Sequence, residues 1–189
     1  MLAPLGDYGG PTQTMPPLPG SPAIDAAGTT DPGGIDQRGL PRFANGILDI
    51  GAVEIQNAAD ADSVLTMAWP LDHDGDTLPF GLEYALGTNP YFPDFNSPLL
   101  PTFTPTVGND LTFTFGSNPA ATANTIWVVM RTTDLDHSQA TEIYRYDGPT
   151  MMETTLPGVS AVITADQIIV TDSAPPADRA FYYLAVIRR

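Results

Sequence analysis

The chain has 189 residues, a 42% hydrophobic fraction and a formal net charge of −15, which suits one ordinary domain or two small ones with a core. Its seven bases are all arginine, so P-loop and Schiff-base lysine chemistry are excluded, and so negative a surface disfavours nucleic acid as a partner. Cysteine is absent, which removes disulfide frameworks and thiolate catalysis, and no stretch is long and apolar enough to span a membrane.

Of the 22 acids, eighteen are Asp and four are Glu. Asp favours turns and oxygen-rich loops, Glu favours helices, and 20 Pro with 17 Gly point the same way. The composition predicts a turn-rich, mainly β chain. Met1–Gly10 has neither a basic nor an apolar region of a signal peptide, so the protein either stays inside the cell or is the tail of a longer exported one.

Residues 1–57 are dense in corners, such as Gly9-Gly10-Pro11, Pro19-Gly20-Ser21-Pro22, Asp31-Pro32-Gly33-Gly34 and Asn45-Gly46. The runs between them (Ala23-Ile24, Ile47–Ile50, Ala52–Ile55) predict strands of two to four residues, the length of solenoid rungs that need a stacked neighbour. The ordered blocks Pro11–Thr14, Leu18–Ala27, Asp36–Arg42 and Asp49–Glu54 resemble the closing segment of choice-of-anchor Q proteins, bacterial surface proteins with right-handed parallel β-helix bodies. The resemblance implies terminal rungs or a cap of such a β-helix, with the body preceding Met1. Asp25, Asp36, Arg38 and Arg42 are then structural, capping buried corners. A glycosidase-like pair of Asp25 with Asp36 is the weaker reading, because Arg38 stands ready to neutralise the acid.

Residues 58–99 read as a linker. Ala58–Leu71 carries one weak helical turn at most. Asp72-His-Asp-Gly-Asp-Thr-Leu-Pro-Phe-Gly-Leu-Glu83 follows, with Asp72, Asp74 and Asp76 at positions one, three and five of a twelve-residue loop. Leu78 falls at seven, where a backbone carbonyl coordinates, and Glu83 at twelve, where a carboxylate closes the shell. This is EF-hand-like ligand spacing for Ca2+, and clustered carboxylates need a cation to offset their repulsion. Magnesium is less suited to an all-protein oxygen cage. His73 should point outward, and with His137 remote and no cysteine a zinc site has little support.

An EF-hand loop places Gly at position six, where this chain has Thr77, with Gly75 at four. The string Asp72–Leu78 with Glu83–Pro90 more closely resembles the calcium loop–helix modules of dockerins and thrombospondin type 3 repeats. A short helix over 81–86 ends at Gly87, a suitable residue just past a helix C-terminus. Nothing in the spacing requires Asp94 as a ligand. Tyr84, Tyr91, Phe92 and Phe95 read as fasteners of the module in preference to a sugar platform.

From residue 100 to 189 the pattern has period two. Leu111–Phe115, Ile126–Arg131, Glu142–Tyr146, Ala161–Thr164, Gln167–Val170 and Phe181–Ile187 are predicted strands separated by turn signals, and they indicate an antiparallel β-sandwich of immunoglobulin or fibronectin III type. Trp127 is expected in its core. Asp134-Leu-Asp-His137 lacks a nucleophile motif beside it and reads as a corner, so no catalytic residue is assigned. The expected function is non-enzymatic: the C-terminal region of a β-helix surface protein, structural or adhesin-like, with a calcium-stiffened linker. The alternative is the accessory end of a β-helix polysaccharide lyase or glycosidase, with extracellular or cell-wall glycan as a partner.

Overall fold

The computed structural model describes residues 1–106, 110–134, 137–148, 154–177 and 179–189. With 29% strand and 13% helix, the chain is mainly β. It divides into two compact units, Met1–Gly81 and Leu82–Arg189, and the division falls inside a short helix.

In the first unit the strands expected in residues 1–57 do not form. There are isolated antiparallel bridges, Leu2 with Pro17, Gly6 with Thr14, Gly28 with Leu48 and Ile35 with Pro41, and parallel pairing is not shown. The physical reason is visible in the hydrogen bonds, since carboxylates replace neighbouring strands as acceptors. Asp36 Oδ1 accepts from the Arg38 and Leu40 N–H groups at 2.8 and 3.1 Å, and its Oδ2 accepts from the Glu54 N–H at 3.0 Å and Arg38 Nε at 3.1 Å. Asp49 accepts from the N–H groups of Asp25 and Ile55 at 2.7 and 2.8 Å. Glu54 accepts from the Ala44 and Asp49 N–H groups, each at 3.0 Å, and from Arg42 Nη1 at 2.7 Å. Asp36, Asp49 and Glu54 are all buried, and such groups persist in a core only when satisfied in this way. With four donors upon it, Asp36 is committed to structure.

Helix α1 (Ala58–Ala68) is a correction to the single weak turn expected there. The Asn57 side chain caps it by accepting from the N–H groups of Ala59 and Asp60, and Val64, Leu65 and Ala68 are buried. Capping satisfies N–H groups that the first turn leaves orphaned, and burial of one face supplies what the mixed, Asp-containing sequence lacks in periodicity. Helix α2 (Phe80–Leu86) begins against Trp69. Gly81 donates its N–H to the Trp69 carbonyl at 2.9 Å, and a Cβ on Gly81 would lie 2.4 Å from the indole. The absent side chain is what lets helix and ring meet.

The second unit contains two four-stranded antiparallel sheets, an arrangement compatible with a β-sandwich. The first has the order β1-β2-β7-β6, from β1 (Thr102–Pro105), β2 (Leu111–Gly116), β7 (Gln167–Asp172) and β6 (Val159–Ile163). The second has the order β5-β4-β3-β8, from β5 (Thr154–Thr155), β4 (Thr141–Tyr146), β3 (Thr125–Thr132) and β8 (Phe181–Arg188). The alternation read in Leu111–Phe115 is realised: Phe113 and Phe115 are buried and the threonines between are half-buried. Trp127 on central strand β3 is fully buried, packed against Tyr146 at a centroid distance of 5.6 Å. Asp172 on β7 joins the two sheets, accepting from Arg131 Nη1 of β3 at 2.6 Å and the Tyr182 hydroxyl of β8 at 2.9 Å. Burial and the neighbouring carboxylate together push the Tyr182 hydroxyl far above its ordinary pKa.

Candidate metal centre

The loop after α1 turns tightly because its own side chains fold it. Asp72 accepts from Gly75 N–H at 2.8 Å and Thr77 N–H at 3.1 Å, Asp74 from Asp76 N–H at 3.3 Å, and Asp76 Oδ1 from Leu78 N–H at 2.8 Å. Short Asp side chains hydrogen-bonding backbone two to five residues on are what produce such turns. Gly75 has φ 78° and Thr77 φ 74°. The position where an EF-hand carries glycine therefore adopts a left-handed conformation here as well, with a β-branched residue in it.

These turns bring one carboxylate oxygen from each of Asp72, Asp74 and Asp76 within 4.8 Å of one another. Asp72 is exposed, Asp74 half-buried and Asp76 only 3% exposed. Asp74 Oδ2 and Asp76 Oδ2 are buried and accept no hydrogen bond. An anionic oxygen removed from water without a donor is costly, and a divalent cation is the simplest group to offset it. Leu78 is half-buried and tied into the loop by its N–H, while His73 is exposed, as expected.

In the second unit Glu83 sits in the first turn of α2, fully buried. A carboxylate oxygen of Glu83 lies within 4.8 Å of one from Asp94. Asp94 Oδ2 accepts from the Asn89 N–H at 3.0 Å, and its Oδ1 is buried without a hydrogen bond. Burial raises the Tyr91 hydroxyl pKa, and the negative charge of Glu83 raises it further. The pairing of Glu83 with Asp94 was not readable from spacing, since ten residues separate them and only the first three of these are helical.

The aromatics after the loop divide. Tyr84 is buried and donates its hydroxyl to the Ala120 carbonyl at 3.0 Å, fastening α2 to the short turn Pro119–Ala121 within the second unit. Phe92 and Phe95 are 70% and 67% exposed, in contrast to the fastening role expected of them. Asp134 accepts from the Thr132 hydroxyl at 3.2 Å. The remainder of the Asp134–His137 string is outside the described residues at 135 and 136, as is the His137 side chain.

No protein-family model matches the chain, and comparison with curated proteins finds no significant match. Among the described residues, no helix is long and apolar enough to cross a membrane.

Proposed function

We propose that this chain is a non-enzymatic C-terminal region of a secreted or cell-surface β-helix protein, in which residues 1–57 close the helix, the loop 72–83 binds one Ca2+ and residues 100–189 form an immunoglobulin- or fibronectin III-like sandwich. The observation that carries the calcium reading is the pair of buried, hydrogen-bond-free oxygens on Asp74 and Asp76 beside the Asp72 carboxylate. Calcium accepts six to eight oxygen ligands. The three aspartates, the Leu78 carbonyl and a bidentate Glu83 at position twelve provide them in the order the loop requires. The ion's work is mechanical: it orders a loop whose own charges oppose its closure. A cleft of about 430 Å3, lined in part by Met1, Leu2, Met15 and Ile50, supports the closing role of the first segment. Those four side chains are exposed on it, as an end-piece made to lie against an apolar rung would have them.

The reading is tested by thermal unfolding of the full chain with millimolar calcium or with chelator. A ligand present at about 100–1,000 times its Kd stabilises the folded form by roughly 3–4 kcal/mol. Calcium should raise the Tm, magnesium should raise it less, and Asp76→Ala should abolish the rise. Identical melting with calcium and with chelator overturns the metal site.

A further inference from the structure

We propose that Asn45 is a site of spontaneous deamidation, and that the acid it becomes loosens the first unit beside its buried carboxylates. Asn45 and Gly46 form an exposed turn with φ of 55° and 88°, the pair of left-handed residues for which Asn-Gly is the favoured sequence. Gly46 has no Cβ, and nothing lies within 4 Å of the place one would take. Its N–H donates to no acceptor among the described residues. The Asn45 amide is tied by one long hydrogen bond, from Nδ2 to the Ile55 carbonyl at 3.3 Å. The other asparagines differ. Proline follows Asn89 and Asn118, so no N–H stands beside them. After Asn96 the Ser97 N–H donates to the Asp94 carbonyl at 2.8 Å. Thr125, after Asn124, is fully buried, and Asn57 is occupied in capping α1. Asn109 lies outside the described residues.

The reaction needs only water and hydroxide. Hydroxide removes the Gly46 amide proton, and the freed nitrogen attacks Cγ of Asn45. The new N–Cγ bond closes a five-membered imide as the Cγ–Nδ2 bond breaks, and Nδ2 takes a proton from water and leaves as ammonia, regenerating hydroxide. Water then adds to one of the two imide carbonyl carbons and that C–N bond breaks. Attack at Cγ gives aspartate, and attack at the main-chain carbon gives isoaspartate. Either product takes the Nδ2 donor from the Ile55 carbonyl and sets a negative charge facing that oxygen. Isoaspartate also adds a methylene to the main chain next to Ala44, whose N–H donates to the buried Glu54 carboxylate at 3.0 Å. On the other side the Ile55 N–H is held by Asp49 at 2.8 Å. The turn therefore adjoins two of the carboxylates that organise the first unit.

The experiment incubates the full chain at pH 6 and at pH 9 and digests it with an endoprotease that cleaves before Asp, which releases residues 36–48 as one peptide. Mass spectrometry should show an acid replacing the amide in this peptide, at least about tenfold faster at pH 9, because only the deprotonated nitrogen attacks. The isoaspartate fraction should resist cleavage at position 45 and accept a methyl label from an isoaspartyl methyltransferase supplied with S-adenosylmethionine. Asn45→Gln, whose imide would need a six-membered ring, should lose the conversion and keep the Tm. The converted chain, separated by anion exchange, should melt below the unconverted one, with Asn45→Asp between them. Conversion only in the unfolded chain, conversion at Asn57 or Asn96 as fast as at Asn45, or equal melting of the converted and unconverted chains overturns the proposal.

Discussion

Arg38 grips Asp60 with both ends of its guanidinium, Nη1 to Oδ1 at 2.7 Å and Nη2 to Oδ2 at 2.9 Å, and so ties a corner of the irregular N-terminal segment to the first turn of α1. Its Nε meets Asp36 at 3.1 Å and Nη2 also donates to the Glu54 carbonyl at 2.7 Å. The side chains of Arg38 and Asp36 are 4% and 0% exposed. Removing the cation leaves a buried carboxylate without its counter-charge, a loss of about 3–5 kcal/mol. Arg38→Ala should therefore lower the stability of the first unit by that order. Arg38→Lys should recover only a part, since one ammonium cannot serve Asp36, Asp60 and the Glu54 carbonyl in the same fixed geometry. Chemical denaturation measures both, and a change below about 0.5 kcal/mol in Arg38→Ala would remove the buried pair from the account.

The same cluster sets an acid limit. Burial raises the Asp36 pKa, but the N–H groups of Glu54, Leu40 and Arg38, with the Arg38 side chain, outweigh it and hold the carboxyl below its ordinary range. Asp60 is likewise pushed up by burial and then brought below the ordinary range by the Arg38 hydrogen bonds, the Gln56 N–H and the Arg38 charge. A depressed folded-state pKa means that the unfolded chain binds more protons as pH falls through about 4. The stabilisation is thus present above about pH 4 and is lost below it, as pH falls through the folded-state values. Unfolding free energy measured from pH 5.5 to 2.5 should drop steeply at the acid end. The drop should be shallower in Asp36→Asn, and equal slopes would show that this carboxyl does not contribute.

Thr77 offers a substitution that should stabilise. Its φ of 74° places a β-branched residue in the left-handed region, and its side chain is exposed. Such a conformation costs about 1–3 kcal/mol, whereas glycine adopts it freely and loses about 0.4–1 kcal/mol through its more disordered unfolded state. Thr77→Gly keeps the N–H bonded to Asp72 and should raise stability by about 1 kcal/mol in the presence of chelator, where metal affinity plays no part. A neutral or destabilised variant would show that the left-handed turn is not a source of strain.

The strands of the second unit were legible because alternation is a local property. Leu111, Phe113 and Phe115 declare one face of β2 without reference to any other strand, and burial alternates likewise along β7, whereas β3 and β4 are legible as apolar, β-branched or aromatic runs that bury consecutive residues. β1 and β5 escaped notice: β1 is a four-residue edge strand with every position exposed, and β5 has two residues. The Asp72–Asp76 cluster was legible for a related reason, since residues two apart on one tight turn must be neighbours. Helix α1 was misjudged because its apolar pattern is weak, although Asn57 followed three residues later by Asp60 was an available capping signal.

By itself the sequence determined the mainly β character, the apolar faces of most strands and the convergence of three aspartates, because each depends on side chains a few residues apart. The tertiary structure decided which distant groups satisfy one another. It paired Arg38 with Asp60, set Glu83 beside Asp94, seated Asp172 between Arg131 and Tyr182, and replaced the short strands expected before residue 57 with a ladder of buried carboxylates. A buried polar atom requires a partner, but its own position in the chain does not name it; packing brings that partner near, and only the folded chain fixes it.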